Sequence, residues 1–325
     1  MTSKHPYPRD MQDGLDKFSC EAEQIIASFR KTLESKKPPP IIYHYTDGVG
    51  LRGISESGRL WLTDIFNLND PSELNHGFSH ALKVLNSMVA NGPPGSKKFA
   101  EHLTAFAQQK GIQGSAHFFV CSFSWCGDDL GQWRAYADNG RGYALGFDTT
   151  ALENGFTKGG TAIPNTDTYT AAFPITYKDA ELAKMHRLII EKMLGLISLP
   201  RGRNLQSAAI GSFMTDLSVS LMTHMVNAAL FFKHEAYDNE KEYRFLQAYR
   251  FDAPPIEMKL RAGRYSLIKY KEFDWRSVSA GALKGIVVGP AADHEKASQF
   301  AGDCLRLCHA ETVAITRSGI PYRAV

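Results

Sequence analysis

The stretch HFFVCSF, residues His117–Phe123, decides the fold class, because a dense apolar and aromatic run of this length is typical of a strand buried at the centre of a sheet. Outward from it, the sequence predicts further strands at 41–45, 60–62, 142–147, 242–249, 256–260, 265–270, 286–288 and 312–316. Helical patterns fill 72–90, 97–110, 179–197, 205–232 and 293–307, and a long loop is predicted at 154–170. This mixture predicts an α+β fold, with sheet elements at both ends of the chain around a helical middle.

The N-terminal segment is predicted to form an amphipathic helix over residues 10–35. Its apolar residues recur at three- and four-residue steps: Leu15, Phe18, Ala22, Ile25, Ile26, Phe29 and Leu33. The sequence KKPPP at 36–40 ends this helix, because proline cannot continue a helix and forces its neighbour into extended geometry. We therefore predict an N-terminal helical extension, 1–37, followed by a single α+β domain, 38–325.

Composition and charge set limits on the class of protein. The 325 residues are 43% apolar, which supplies a substantial core, and 37 basic against 34 acidic residues leave a formal charge of +3. This charge is too small to draw the whole protein onto nucleic acid or an anionic membrane. The opening MTSKHPYPRDMQDG lacks the apolar region of a secretory signal, the chain contains no long uninterrupted apolar run, and five cysteines suit a reducing compartment. We expect a cytoplasmic protein that does not bind membranes.

The first candidate motifs lie near the start of the predicted domain. In Tyr43-His44-Tyr45-Thr46, a histidine at a strand end can hold a ribose hydroxyl or a phosphate, and tyrosines can stack on a flat ring. A packed, hydrogen-bonded core histidine fits the same residues. Asn69-Asp70-Pro71-Ser72-Glu73 offers side-chain acceptors and a helix N-terminus that can face an anion, and it also reads as a plain helix cap.

Two further motifs flank the central strand. Alternation places Ser122 and Ser124 on one face of it, where buried hydroxyls need polar partners from a ligand, a catalytic side chain or backbone carbonyls. Trp133 and Tyr136 lie three residues apart on one face of a predicted helix, so they can wall a nucleotide pocket or form a packing stripe.

The last motif is Glu240-Lys241-Glu242-Tyr243-Arg244. If the strand begins at Glu240, then Glu240, Glu242 and Arg244 share one face. Two neighbouring carboxylates repel each other, an arrangement suited to acid–base work or to stabilising a cationic transition state. A solvated strand face with glutamate and arginine offsetting each other is the alternative.

The cysteines and one glycine pair come close to metal and phosphate motifs. Cys121-x4-Cys126 and Cys304-x3-Cys308-His309 have ligand-like spacing, but the patterns around them are those of ordinary core positions. We therefore expect no metal. Gly48-x-Gly50 lacks the third glycine and the lysine of a phosphate-binding loop.

Taken in order, these strings resemble a bacterial family known as domain of unknown function 2971, over about residues 40 to 325. The matching strings are Tyr43-His44-Tyr45-Thr46, Asn69-Asp70-Pro71-x-Glu73, Cys121-Ser122-Phe123-Ser124, Trp133-x-x-Tyr136-Ala137-Asp138, Gly142-x-x-Leu145-Gly146-Phe147-Asp148, Glu240-Lys241-Glu242-Tyr243-Arg244, Ile286-Val287-Val288-Gly289 and Ser318-Gly319-Ile320-Pro321-Tyr322-Arg323. The N-terminal helix lies outside the resemblance.

The layout is also similar to the ADP-ribosyltransferase superfamily, whose members bind NAD in the cleft of a split sheet. That resemblance implies a split mixed or antiparallel sheet, to which 179–232 is added as a large helical insertion. It implies NAD as a substrate, with Glu242 stabilising the charge of the transition state, Glu240 positioning an acceptor and His44 holding the adenosine-side ribose. Ser122 or Ser124 would support the glutamate. Cofactor contacts are expected from Tyr43, Tyr45, Thr46, Asn69, Asp70, Ser122, Ser124, Trp133, Tyr136 and Arg244.

The resulting function is an NAD-dependent ADP-ribosyltransferase or NAD glycohydrolase, as a toxin or phage-defence effector whose acceptor is nucleic acid, protein or water. Phe123 between the serines and Arg244 beside the glutamate depart from the superfamily pattern. A non-catalytic nucleotide- or protein-binding defence module is therefore an alternative, with Glu242 and Arg244 as a structural ion pair. A metal-dependent nuclease built on Asp70, Glu73 and Glu242 is a further one. The N-terminal helix can pack on its own domain or on a second copy of the chain.

Overall fold

The structure is a computed structural model that describes residues 6–68, 72–110, 116–158, 168–250, 257–263, 266–279 and 281–323. Its strands are β1 (Ile41–Thr46), β2 (Arg59–Asp64), β3 (Ala116–Ser124), β4 (Tyr143–Asp148), β5 (Thr168–Pro174), β6 (Glu242–Arg250), β7 (Lys259–Ala262), β8 (Leu267–Asp274), β9 (Leu283–Val288) and β10 (Ala314–Arg317). Its α-helices are α1 (Arg9–Glu34), α2 (Gly48–Ser57), α3 (Ser72–Val89), α4 (Ser96–Lys110), α5 (Leu130–Tyr136), α6 (Thr149–Lys158), α7 (Asp179–Leu194), α8 (Ser207–Ala229), α9 (Trp275–Val278) and α10 (His294–Leu307). The expected mixture of helices and strands is confirmed. In the described part of the chain, no helix has both the length and the apolar character that a membrane crossing requires.

The chain forms two compact units. The helical unit comprises Met1–Leu33, Asn69–Ala116 and Thr176–Glu235, and the sheet unit comprises Glu34–Leu68, His117–Ile175 and Ala236–Val325. The helices of 179–232 and the N-terminal helix therefore share a unit with α3 and α4, a grouping that the sequence-based division did not contain.

In the helical unit, α8 provides the central packing surface. Phe213, Leu217, Leu221 and Met225 recur every four residues and are fully buried, so they form one apolar stripe along the helix. Helix α3 comes so close to α8 that a Cβ atom on Gly77 would lie 2.4 Å from the Cβ of Ala229. A residue without a side chain is therefore needed at this helix crossing.

In α1, the outcome of the predicted apolar stripe is mixed. Leu15, Phe18, Ala22 and Leu33 are buried, as expected, whereas Ile25, Ile26 and Phe29 are only half-buried. The Phe29 ring stacks on Phe232 with the ring centroids 5.2 Å apart. The amphipathic pattern thus identified the helix and most of its buried face.

The sheet unit contains a mixed sheet in the order β10-β9-β4-β1-β3-β2-β8-β7, in which β6 pairs with both β3 and β5. Strands β9 and β10 are parallel, whereas β1 runs antiparallel to both β4 and β3. Strand β3 has three partner strands, so two of them share one of its edges. The run predicted to be the central strand is therefore the branching point of the sheet.

The two faces of the sheet carry different packing. On one face, Ile42, Phe123, Phe147 and Phe245 belong to a large apolar core that also includes residues of α2, α6, α9 and α10. On the other face, a smaller cluster contains Tyr45, Trp133, Ala137 and Ala144. Helix α5 supplies Trp133, so it packs on this second face.

The predicted loop at 154–170 is partly wrong. Helix α6 occupies its first part and β5 its last part, while 159–167 lie outside the described residues. Leu152 and Phe156 are four residues apart and buried, and this pair anchors α6 to the core. Gly155 belongs to the residues that predicted the loop, but in the structure it lets the backbone of α6 lie against the Ser279 side chain. A Cβ at this position would be 1.9 Å from the Oγ of Ser279.

Candidate functional site

Strand β6 begins at Glu242, two residues later than the same-face hypothesis required. Glu240 ends a 3-10 helix, Glu235–Glu240, and Lys241 has a left-handed backbone with φ of 46°. The prediction that Glu240 and Glu242 alternate along one strand is therefore wrong, because the turn at Lys241 separates them. Glu242 and Arg244 do lie on one face of β6, and their side chains form an ion pair.

The Glu242 carboxylate is held by two donors at the same oxygen. The Ser122 hydroxyl donates to Oε1 over 2.7 Å, and the Nε of Arg244 donates to Oε1 over 2.7 Å. The Glu242 and Arg244 side chains are only 4% and 1% exposed. Because both hydrogen bonds are short and one donor is charged, the carboxylate is fixed in orientation.

The two serines of β3 have different partners. Ser122 binds the Glu242 carboxylate, which is the contact that the ADP-ribosyltransferase hypothesis required of one of them. Ser124 instead donates to the backbone carbonyl of Glu240 over 2.8 Å and accepts from the amide of Cys126. The Glu240 carboxylate accepts from the Tyr136 hydroxyl over 3.1 Å. The structure thus places Glu240 beside Tyr136 rather than paired with Glu242.

His44 lies on the opposite side of the sheet from the Glu242 carboxylate. Tyr43 pairs with Ser124, so alternation puts His44 on the face of Phe123, and the two rings are 5.6 Å apart. The imidazole Nδ1 lies 3.1 Å from the backbone oxygen of Ser122, and burial lowers the pKa of His44. The structure therefore does not bring His44 and Glu242 together on one face, and the contacts of the half-buried His44 with Phe123 and a backbone carbonyl fit the packing alternative.

The tyrosines of β1 face α5 and the loop that precedes it. The Tyr45 hydroxyl donates to the carbonyl of Cys126 over 2.9 Å and accepts from the amide of Asp129, and burial raises its pKa. The Tyr43 ring covers Gly127, where a Cβ would lie 2.4 Å from the ring. Both tyrosines thus have structural contacts within the sheet unit.

Another predicted cofactor contact, Thr46, flanks the helix that follows β1. Its hydroxyl lies against Gly50 in the first turn of α2, where a Cβ would be 1.9 Å away. Asp47 rather than a ligand caps that turn, accepting from the Gly50 amide over 2.7 Å. Asn69 and Asp70, the remaining predicted contacts in this part of the chain, lie outside the described residues.

The comparisons with known proteins bear on part of this site. A family model described as Protein of unknown function (DUF2971) matches residues 132–245, about a third of the chain. The resemblance to this family is confirmed over that stretch. Trp133, Tyr136 and the Glu242–Arg244 pair lie inside the match, whereas the β1 motif and the β3 serines precede it. No curated protein and no solved structure matches the chain.

Within the DUF2971 match, the two aromatic residues of α5 do not wall a common pocket. Trp133 is fully buried, and its side chain meets Tyr45 edge to face with the ring centroids 4.8 Å apart. Tyr136 is 38% exposed and hydrogen-bonds to Glu240. Trp133 faces the sheet, so the packing alternative fits it, whereas Tyr136 is the last residue of the helix and remains partly exposed.

Asp128, just before the DUF2971 match, is a polar centre that the sequence alone did not reveal. Its carboxylate accepts from the Trp133 indole over 2.7 Å, from the Ser318 hydroxyl over 2.6 Å and from the Gly319 amide over 2.8 Å. It therefore ties α5 to the C-terminal segment that follows β10. In the sequence, Asp128-Asp129 looks like the start of a helix. Only Asp129 caps the helix, because its carboxylate accepts a hydrogen bond from the amide of Gln132.

The cysteines behave as core residues where they are buried. Burial raises the pKa of Cys121 to about 12 and that of Cys304 to about 11, so both thiols are protonated at neutral pH. Across the described ranges, no group of three His, Cys, Asp or Glu side chains is arranged to hold a metal ion. The Asp70 and Glu73 side chains of the nuclease hypothesis lie outside what the structure describes.

Proposed function

We propose that the sheet unit binds NAD and transfers its ADP-ribose to an acceptor or to water, with Glu242 as the catalytic carboxylate. The observation that carries this proposal is the hydrogen bond from Ser122 on β3 to Glu242 on the neighbouring strand β6. The resemblance to ADP-ribosyltransferases requires a serine to support a glutamate in this way. These two residues are 120 positions apart in the chain, so local sequence does not impose the contact.

The chemistry needs an oriented anion beside the reacting sugar carbon. When the bond between C1′ and the nicotinamide nitrogen breaks, its electron pair leaves with nicotinamide, and positive charge develops on the ribose. A fixed carboxylate stabilises that charge without having to reorganise. The acceptor then attacks C1′ and releases a proton. Ser122 and Arg244 both bind Oε1 of Glu242, so together they fix the direction in which the carboxylate points. Because this side chain is only 4% exposed, catalysis requires that NAD binding uncovers it.

The branching of the sheet supports the finer proposal of a split, ADP-ribosyltransferase-like fold. Strand β3 pairs with β2 at Phe119 and Val120 and with β1 at Ser124. Ser122 lies between these two points along the strand. The hydroxyl that supports Glu242 thus lies on the strand at which the sheet branches, between its pairing points with β2 and β1.

A second candidate function is a non-catalytic nucleotide- or protein-binding defence module. The ion pair between Glu242 and Arg244 favours it, because both side chains are almost fully buried and the guanidinium offsets the carboxylate charge. In this case, the same polar contacts stabilise β6 against β3 and perform no chemistry.

Nicotinamide release from NAD by the purified protein distinguishes the two functions, measured with and without added nucleic acid and protein acceptors. We expect Glu242→Gln to lower the rate by about 100-fold or more, the usual loss when a preorganised transition-state contact is removed. Glu153→Gln is the control, because Glu153 is a partly buried carboxylate of the sheet unit that is hydrogen-bonded to Tyr243 and has no role in the proposed chemistry.

Calorimetric titration with NAD and circular dichroism complete the test. Equal nicotinamide release by the original chain and Glu242→Gln would refute catalysis by this carboxylate. Binding of NAD without turnover under any condition would favour the binding module. Absence of both binding and turnover in folded protein would contradict both uses of NAD.

A further inference from the structure

An exposed face of the sheet unit combines aromatic and basic side chains. Trp61 lies in the middle of β2 and is 46% exposed, unusual for a tryptophan on a paired strand. It pairs with Glu272 of β8, and Thr63 pairs with Tyr270, which in turn pairs with Lys259 of β7. Alternation therefore defines one surface, which we call the outer face, made of Arg59, Trp61, Thr63, Lys259, Arg261, Ile268, Tyr270, Glu272 and Asp274.

The aromatic part of the outer face is already ordered. The Trp61 and Tyr270 rings lie 4.6 Å apart at an angle of 38°. The guanidinium carbon of Arg261 lies 5.5 Å from the centre of the Trp61 ring, in the range of a cation–π contact. The Nε of Arg261 is itself buried and has no hydrogen-bond partner within the described residues. Tyr270 is only 9% exposed, so it supports the Trp61 ring from the side of the sheet, and the exposed tryptophan with its stacked guanidinium is the part that can stack an unpaired base.

The charge of this region favours a polyanion. Of the basic residues in β7 and β8, Lys259 and Arg261 lie on the outer face, whereas Lys269 and Lys271 alternate onto the opposite side. On the outer face, the Glu272 carboxylate binds both Lys259, over 2.8 Å, and Arg59; partial burial opposes its ionisation, but these hydrogen bonds outweigh burial and lower its pKa. The outer face thus carries three cations, Arg59, Lys259 and Arg261, against the two carboxylates Glu272 and Asp274, which leaves it with one net positive charge. Because the whole chain carries only +3, any attraction of nucleic acid is local to this face.

We propose that the outer face binds single-stranded nucleic acid, with one base stacked on Trp61 and the phosphates next to Arg59, Lys259 and Arg261. A duplex hides the flat faces of its bases, whereas a single strand can lay one on an open sheet. The proposal does not depend on NAD chemistry. Thr63 pairs with Val120, two residues before Ser122, so Trp61 and Ser122 are on the same side of the sheet. A bound strand would therefore lie on the side that carries Glu242.

Fluorescence anisotropy with labelled 20-nucleotide oligothymidylate and oligouridylate, without NAD, tests this proposal. We expect binding that weakens as salt rises, with an unlabelled duplex of the same length competing poorly. Trp61→Ala should weaken binding about 10-fold or more, as the loss of one stacked base predicts, and Trp61→Tyr should restore most of it. Arg261→Ala should weaken binding and reduce the slope of log K against log salt by about 1.

Two matched controls separate the outer face from general surface effects. Leu267→Ala removes an apolar side chain that is more exposed than Trp61 and lies on the opposite side of the same strands, and Lys296→Ala removes an exposed charge on α10. Both should bind like the original chain. Absence of binding at 50 mM salt, or equal affinities for Trp61→Ala and Leu267→Ala in folded protein, would overturn the proposal. Binding lost only in the charge variants would also overturn it, because no base would then be stacked.

Discussion

Acid should destabilise the helical unit through two buried histidines. His186 on α7 is fully buried, and its Nδ1 lies 3.4 Å from the Nδ1 of His80 on α3. Burial, with His80 adding to it, lowers the pKa of His186 to about 3, and burial lowers that of His224 on α8 to about 4. Both residues are therefore neutral in the folded protein at pH 5, whereas in the unfolded chain they are largely protonated.

The sign and size of the effect follow from proton linkage. The ordinary pKa of 6.5 applies to the unfolded chain, which therefore binds more protons than the folded one below this pH. The contribution of the two histidines to the unfolding free energy is fully present above about pH 7. It is lost as the pH falls from 6.5 toward the pKa values of the folded protein. Relative to neutral pH, each histidine should lower the unfolding free energy at pH 5 by about 2 kcal/mol, and the pair should lower it by about 4 kcal/mol.

Urea unfolding at pH 8, 6.5 and 5, followed by circular dichroism at 222 nm, measures this dependence. His186→Gln removes one titrating group, so it should lose about 2 kcal/mol less than the original chain between pH 8 and pH 5, whatever its absolute stability. His294→Gln on α10 is the control, because that histidine is exposed. The reasoning is refuted if His186→Gln keeps the full pH dependence, or if His294→Gln reduces it as much.

Two further predictions concern the sheet unit. Arg244→Leu should lower the unfolding free energy, measured in urea, by about 3–5 kcal/mol, because it leaves Glu242 buried without its cation. Adding Glu242→Leu should recover most of this loss. A double variant as unstable as Arg244→Leu would contradict the prediction. Asp128→Ala should lower the unfolding free energy by roughly 3 kcal/mol, because it removes three hydrogen bonds. It should also speed tryptic cleavage after Arg317, whereas the control Asp303→Ala on the surface of α10 should not. Unchanged cleavage would show that other contacts hold the C-terminal segment.

Periodicity predicted most of the fold because the decisive residues act locally. The dense run at His117–Phe123 is a central strand since its side chains fill both faces of the sheet. The helices at 72–90 and 97–110 appear as α3 and α4 within a residue or two. Helix α6 was missed because Gly155 and the threonines suggest a loop. The glycine is required by a neighbouring side chain, Ser279, that is far away in sequence.

The candidate site was harder to predict because its contacts join distant parts of the chain. The Ser122–Glu242 contact could be proposed only from a family resemblance, since nothing near either residue requires it. The error at Glu240 has a local cause: a lysine rarely adopts a left-handed backbone, so the strand pattern seemed to continue through Lys241. Asp128 was missed because two of its three partners, Ser318 and Gly319, are about 190 residues away.

The buried ion pair is itself an argument about function. Replacing a buried pair of opposite charges with apolar side chains of similar volume is often neutral or stabilising, because both ions must give up their water. Val120, on the same face of β3 as Ser122, is buried without any polar partner being needed, so this face tolerates an apolar packing. A glutamate, an arginine and a serine that bind one another at this position are therefore not needed merely to pack β6 against β3. Both candidate functions must account for this cost, and the Glu242→Leu, Arg244→Leu chain distinguishes them: it should fold in either case, but only the catalytic function predicts that it loses nicotinamide release.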